Sequence, residues 1–264
     1  MPGLELNLNN KVALVIASSQ GLGKAIAEKL VKEGANVMLT SRNAEKLAAV
    51  KSELDALDKG KVSFFPADIT NAEDIKLLVR KTNEVFGKID ILINNAGGPP
   101  GGSFETVSDK DWQHAFELNL LSYIRIIREV LPDLKKTGGR IINIASSSTK
   151  QPIPELILSN TFRLGIVGLA KSLAEELAPY NILVNTVSPG RIETDRVEHL
   201  DKIRADKLGV SQEKVKEDAK NTIPLKRYGT PEEFANVVVF LVSDASTYIT
   251  GSSILVDGGM IKSI

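Results

Sequence analysis

The 264-residue sequence contains no cysteine, which excludes disulfide bridges, a thiolate nucleophile and a cysteine-ligated metal. Histidine is almost as scarce. His114 and His199 lie far apart without ligand-type neighbours, so no metal site is expected. Neither sign of charge is in excess, with 33 basic residues against 33 acidic ones. The electrostatic footprint of a nucleic-acid or membrane-surface partner is therefore missing, and neither partner is expected. No apolar run approaches the length of a bilayer span. Residues 1–10 lack the basic, apolar, small-residue progression of a signal peptide, so the expected location is cytoplasmic. There is no internal repeat, low-complexity tract or linker, which predicts one domain over residues 1–264.

What is present is a regular alternation. Residues 11–16, 36–40, 62–66, 89–93, 140–145, 182–187 and 253–256 read as short, β-branched strands. Helical stretches separate them: residues 24–32 stopping at Gly34, 44–57, a helix begun by Thr70 with Glu73 completing a capping box, 112–131 closed by Pro132, and 159–178. Thr230, Pro231 and Glu233 start a further helix. Strands alternating with helices predict right-handed crossovers and an α/β architecture: a three-layer, doubly wound parallel sheet of about seven strands, a Rossmann fold. Residues 190–221 are dense in charge and contain no strand. A solvated helical insertion is the simpler alternative; their place between a late strand and the Thr230 helix favours a helical lid over the carboxyl ends of the strands, where such sheets bind ligands.

Gly21-Leu22-Gly23 falls at the first strand-to-helix turn. A tight glycine turn there lets backbone N–H groups meet a pyrophosphate at the positive end of the helix. About twenty residues on, an acid would take a ribose 2′-hydroxyl and a base would take a 2′-phosphate. The chain reads Thr40-Ser41-Arg42, which favours NADP(H) and leaves NAD(H) as the alternative. Asp68, after the third strand, is placed to accept from the adenine amino group. Asn94-Asn95-Ala96-Gly97 ends the fourth strand with small and amide side chains against which a cofactor ribose could lie.

These segments, with Asn119, Asn143, Ser146, Pro189-Gly190 and Val256-Asp257-Gly258-Gly259, resemble the short-chain dehydrogenase/reductase family in order and spacing over residues 9–261. The nearest branch is that of the 3-oxoacyl-acyl-carrier-protein reductases. The resemblance implies a cofactor site of Ser18, Gln20, Gly21, Leu22, Gly23, Ser41, Arg42, Asp68, Ile69, Asn95, Ala96, Gly97, Arg163, Pro189, Gly190 and Ile192. It also implies a serine that polarises a carbonyl, a tyrosine that passes the proton, a lysine that lowers the tyrosine pKa, and an asparagine that holds a relay water. Ser146 and Asn119 match the serine and asparagine. The tyrosine and lysine positions hold Ser159 and Arg163. The family turn begins Thr-Gly, where this chain has Ile16-Ala17.

A serine hydroxyl is shorter and far less acidic than a phenol, so Ser159 does not inherit the proton-transfer role. Nor does an arginine fork replace a lysine ammonium. Lys150 and Tyr123 are the substitute proton donors considered, with a solvent-facing lysine and a core tyrosine as the simpler alternatives. Arg163 and Arg191 together suggest a carboxylate or phosphate on the ligand, beside a loop at residues 98–102. Two functions remain open at this point. One is an oxidoreductase acting on a small carbonyl or alcohol by a modified proton route. The other is a catalytically silent dinucleotide-binding sensor, scaffold or partner subunit. The resemblance also implies a homotetramer, built on residues 118–130, 165–173 and the last strand.

Overall fold

The computed structural model describes residues 5–263. The first four residues of the stretch in which no signal peptide is expected lie outside the described residues. Seven parallel strands form one sheet: β1 (Val12–Ile16), β2 (Asn36–Thr40), β3 (Val62–Phe64), β4 (Ile91–Asn94), β5 (Gly139–Ile144), β6 (Ile182–Pro189) and β7 (Ser253–Val256). Their order is β3-β2-β1-β4-β5-β6-β7, so the winding direction reverses between β1 and β4. Every residue of β1 and β4 is buried, as expected of strands covered on both faces.

Helices α1 (Gly21–Lys32), α2 (Ala44–Asp55) and α9 (Pro231–Val242) cover one face. There Ile26, Leu30, Leu47, Phe234 and Val238 pack on Val15, Val37 and Ile93. Helices α3 (Ala72–Phe86), α5 (Ser122–Thr137) and α6 (Ile157–Leu177) cover the other, where Ile75, Ile126, Val130, Ile166 and Ala170 pack on Leu14, Leu92 and Ile141. Helix α4 (Asp109–Phe116) leads into α5 through a π-helical turn, Glu117–Leu121. The charge-dense segment folds as α7 (Asp195–Leu208) and α8 (Gln212–Thr222).

Local chemistry accounts for most boundaries, including those that differ from expectation. The Thr230–Glu233 capping box forms. Thr70 does not cap α3: its hydroxyl donates to Asp68 Oδ1 at 2.8 Å, and Asn71 accepts the Glu73 and Asp74 N–H groups instead. Pro132 does not close a helix, because α5 runs through it to Thr137. The proline costs that helix about 3 kcal/mol, and the buried stripe Ile126, Ile127, Val130 and Leu134 offsets it. Strand β3 ends at Phe64, and the Phe65 carbonyl accepts from Thr40 Oγ1 at 2.7 Å.

The first turn is the tightest point of the fold. A Cβ on Gly23 would lie 2.3 Å from the Ala17 carbonyl oxygen and 2.8 Å from Asn95 Nδ2, so α1 can reach the β1–β4 junction only without a side chain there. Ala17 itself is left-handed, at φ +51°, an unfavourable region for any residue with a Cβ. Gly23→Ala is expected to lower stability by about 1–3 kcal/mol through this overpacking, read as a shift of the urea unfolding midpoint at unchanged slope.

Candidate active site

A cleft of about 1110 Å³ opens at the carboxyl ends of the strands, over the β1–β4 junction, the location favoured for ligands in doubly wound sheets. One end is formed by Gln20, Gly21, Leu22, Ser41, Arg42, Asp68 and Ile69, the middle by Asn95, Ala96 and Gly97, and the far end by Ser146, Ser159, Arg163, Pro189, Gly190 and Ile192. Sixteen residues expected from the sequence thus share one cavity. Three others stand behind its wall: Ser18, Gly23 and Asn119 do not line it. Ser18 is buried and its Oγ accepts the Thr40 N–H at 2.9 Å, pinning β1 to β2. Gly23 contributes the close approach described above.

At the near end, Asn95 Nδ2 donates to the Ile16 and Ala17 carbonyls, both at 3.3 Å, and fixes the left-handed turn against β4. Lys46 Nζ donates to Gln20 Oε1 at 2.9 Å. Arg42 is exposed at the rim and makes no ion pair among the described residues. Burial works to raise the Asp68 carboxyl pKa, but two hydrogen bonds from Thr70 and the Arg42 cation outweigh it and hold it below its ordinary value.

At the far end, Ser146 follows β5 and caps a single 3₁₀ turn. Its Oγ accepts the Ser148 N–H at 3.1 Å, so its own proton remains available to an acceptor in the cleft. Ser159 and Arg163 lie one turn apart on the same face of α6. Arg163 is 4% exposed. Its Nη1 donates to the Ile144 carbonyl at 2.9 Å and to Tyr123 Oη at 3.0 Å. Its Nη2 donates to Ala96 O at 2.8 Å and Gly97 O at 3.4 Å. The Tyr123 phenol accepts the Ala96 N–H and donates to Ile144 O, each at 2.9 Å. One guanidinium and one phenol therefore tie the ends of β4 and β5 together.

Neither substitute proton donor reaches the cleft. Tyr123 is fully buried, with its proton committed to a carbonyl, and Lys150 is exposed outside the lining. Arg191 lines the cleft but pairs with Asp201, whose other oxygen accepts from Tyr228 Oη at 2.9 Å. The anion-binding role suggested for Arg191 is thereby displaced by an internal carboxylate. Burial, then donation to Asp201, pushes the Tyr228 phenol up to about 12. Asn119 sits in the π-helical turn, where Nδ2 donates to Gly97 O at 2.7 Å and Oδ1 is buried without a partner.

Sequence reasoning expected a lid over residues 190–221 but singled out none of the α7 residues that line the cleft: Thr194, Asp195, Arg196, Val197 and Leu200. Thr194 is the helix N-cap, and Arg196 and Leu200 are one turn apart. That cap and spacing were the available signal. Arg196 Nη2 donates to the Pro99 carbonyl at 2.9 Å, and Lys207 pairs with Glu155. The two-helix segment is thus fastened to loops on the opposite side.

A family model described as enoyl-(acyl carrier protein) reductase matches residues 16–261. The chain belongs to the short-chain dehydrogenase/reductase family. The 3-oxoacyl-[acyl-carrier-protein] reductase of Aquifex aeolicus is 38% identical over 258 residues, covering 97% of this chain and 100% of that protein. The NADPH-dependent reductase BacG of Bacillus subtilis is 32% identical, with 97% and 100% covered. Among solved structures, L-sorbose reductase from Gluconobacter frateurii, complexed with NADPH and L-sorbose, superposes with a TM-score of 0.94. It is 32% identical, and the match covers 98% of this chain and 100% of that one.

Within this family member, the Tyr123 hydroxyl carries three hydrogen bonds in a buried setting. Tyr123→Phe removes the acceptor of the Ala96 N–H and leaves that donor buried and unpaired. A loss of about 1–3 kcal/mol is expected, measured by chemical denaturation.

Proposed function

We propose that this chain is an NADP(H)-dependent oxidoreductase that reduces a carbonyl or oxidises an alcohol without the tyrosine–lysine pair that the family resemblance implies. The observation that carries the reading is the far end of the cleft, where Ser146, with its hydroxyl proton free, and Ser159 line one cavity, with the Arg163 guanidinium committed to backbone carbonyls and Tyr123. The named relatives supply its cofactor: BacG is an NADPH-dependent reductase, and the sorbose reductase was solved with NADPH.

The chain's residues fit that cofactor. The glycine turn, in which Gly21 has φ +58° and Gly23 tolerates no Cβ, leaves the first N–H groups of α1 bare for a pyrophosphate. Arg42 makes no ion pair among the described residues, although its charge reaches Asp68, and it suits a 2′-phosphate. Asp68 would hold the adenine amino group, and Asn95, Ala96 and Gly97 would flank the ribose. When bound, NADPH supplies a hydride to the carbonyl carbon. Ser146 donates a hydrogen bond to the carbonyl oxygen and polarises it. A cleft water in exchange with solvent gives the proton to that oxygen and is restored from solvent, while Ser159 holds that water by a hydrogen bond and keeps its own proton. The unpartnered Asn119 Oδ1 holds a further water behind Gly97. Helices α7 and α8 close over the ligand through the Arg196 and Lys207 contacts.

A second reading, a catalytically silent dinucleotide-binding protein, is favoured by one observation. Arg163 has both Nη groups on protein acceptors, so it cannot tune a proton donor as a lysine would. The discriminating experiment follows NADPH oxidation against a panel of ketones and 3-oxoacyl thioesters. It compares wild type with the double variant Ser159→Tyr, Arg163→Lys. Measurable wild-type turnover is expected, lower by about 10²–10⁴-fold than general acid catalysis would allow. If NADPH binds and no substrate turns over above background, the enzymatic reading is lost. If wild type equals or exceeds the double variant on its best substrate, the silent reading is lost.

Arg42→Ala is expected to weaken NADPH binding about 10–100-fold while leaving NADH within about twofold, by fluorescence titration. We also propose the homotetramer that the family resemblance implies. The exposed Leu164 on α6 and the half-exposed strand β7 support it, and light scattering measures it.

A further inference from the structure

Two guanidinium groups reach one strip of backbone from opposite sides. From α6, Arg163 Nη2 donates to Ala96 O at 2.8 Å and Gly97 O at 3.4 Å. From α7, Arg196 Nη2 donates to Pro99 O at 2.9 Å and lies so close to Gly98 that a Cβ there would be 2.9 Å away. The two cations therefore flank residues 97–99, and both line the far end of the cleft. Neither has a carboxylate within ion-pair distance among the described residues, in contrast to Arg191 with Asp201 and Lys207 with Glu155. Asp195, the acid nearest Arg196 along α7, is exposed at the rim. Arg163 retains an Nε–H with no protein acceptor among the described residues, and Arg196 has Pro99 O as its one acceptor among them. Burial lowers the Arg196 pKa, and the positive charge of Arg163 lowers it further. Arg163 is buried and Arg196 is exposed at the cleft rim, and two like charges without carboxylate partners among the described residues, beside an open cavity, are an arrangement that an anion relieves.

Ser159, one helical turn before Arg163, is 9% exposed and lines the same corner. A short side chain there leaves room between the Ser146 hydroxyl and the two arginines. We propose that this corner binds the carboxylate of a small oxo- or hydroxycarboxylic acid, with Arg196 as its principal donor, Arg163 supporting, and the carbonyl or hydroxyl turned to Ser146. The assignment of the ligand's second group rests on the oxidoreductase reading; the carboxylate site rests on the arginines alone. A cofactor pyrophosphate is the other source of negative charge that could reach Arg196, since Thr194, two residues earlier, lies beside Gly21, and the test separates the two.

The test is calorimetric titration of the full chain, saturated with NADP⁺, with 2- and 3-oxo acids of three to six carbons, each beside its neutral methyl ester. At least one acid is expected to bind about tenfold or more tightly than its ester. Arg196→Ala should bring that ratio to within about twofold while NADP⁺ affinity changes less than about threefold, and Arg196→Lys should retain part of the preference. Circular dichroism confirms that the variants are folded. Three results overturn the proposal. One is that every ester binds as well as its acid in wild type. Another is that the preference survives Arg196→Ala. The third is that Arg196→Ala weakens NADP⁺ tenfold or more at an intact acid-to-ester ratio, which assigns the arginine to the cofactor. If the chain binds no NADP⁺ or NADPH, the oxidoreductase reading falls by itself. The same titration of the cofactor-free chain then upholds the carboxylate site if an acid preference disappears in Arg196→Ala, and removes it if no acid is preferred.

Discussion

The cleft depends on a buried cation that has no ionic partner among the described residues. Arg163 enters from α6 and is neutralised by carbonyl dipoles at the ends of β4 and β5, with the Tyr123 hydroxyl beside them. Charge-assisted hydrogen bonds of this kind are about twice as strong as neutral ones, and they offset the desolvation that would otherwise expel a guanidinium from the interior. They also fix the spacing between the Ala96–Gly97 backbone and the β5 end that carries Ser146. Ser146, which follows β5, and Ala96 and Gly97, which follow β4, are thereby set against one another across the cleft.

Much of this architecture was legible in the residues. The seven strands and their alternation with helices follow from β-branched runs punctuated by turn chemistry. The Thr230 capping box and the Gly21–Gly23 turn are encoded within a few residues of where they act. What escaped was set by competition or by long-range contact. Thr70 had two available partners and Asp68 took it, leaving the cap to Asn71. Pro132 carries a strong local stop signal, and an apolar stripe continuing on both sides overrode it. The π-helical turn at Glu117–Leu121 inserts without any composition that would announce it.

The cleft shows the same division. Sixteen of the residues expected there line it: the strand ends and the turns that follow them deliver fourteen, and α6 brings Ser159 and Arg163. The arginines were harder to sort. Arg191 and Arg196 are close in sequence and alike in chemistry, yet one meets the buried carboxylate of Asp201 and the other crosses to Pro99. Only tertiary packing distinguishes them. Membership of a family likewise supplies a scaffold and a cofactor geometry, while the chemistry performed belongs to the particular side chains at the end of the cleft.

Asp201 has a mechanical consequence. It is 0% exposed on α7 and is held by Arg191, just past β6, and by Tyr228, just before α9. The two ends of the helical segment are thus knotted to a single carboxylate near the middle of α7. Any swing of α7 and α8 that keeps those bonds has its fulcrum at Asp201, so the N-terminal turn carrying Arg196 and the outer tip around Gly209 travel in opposite senses, as the arms of a lever.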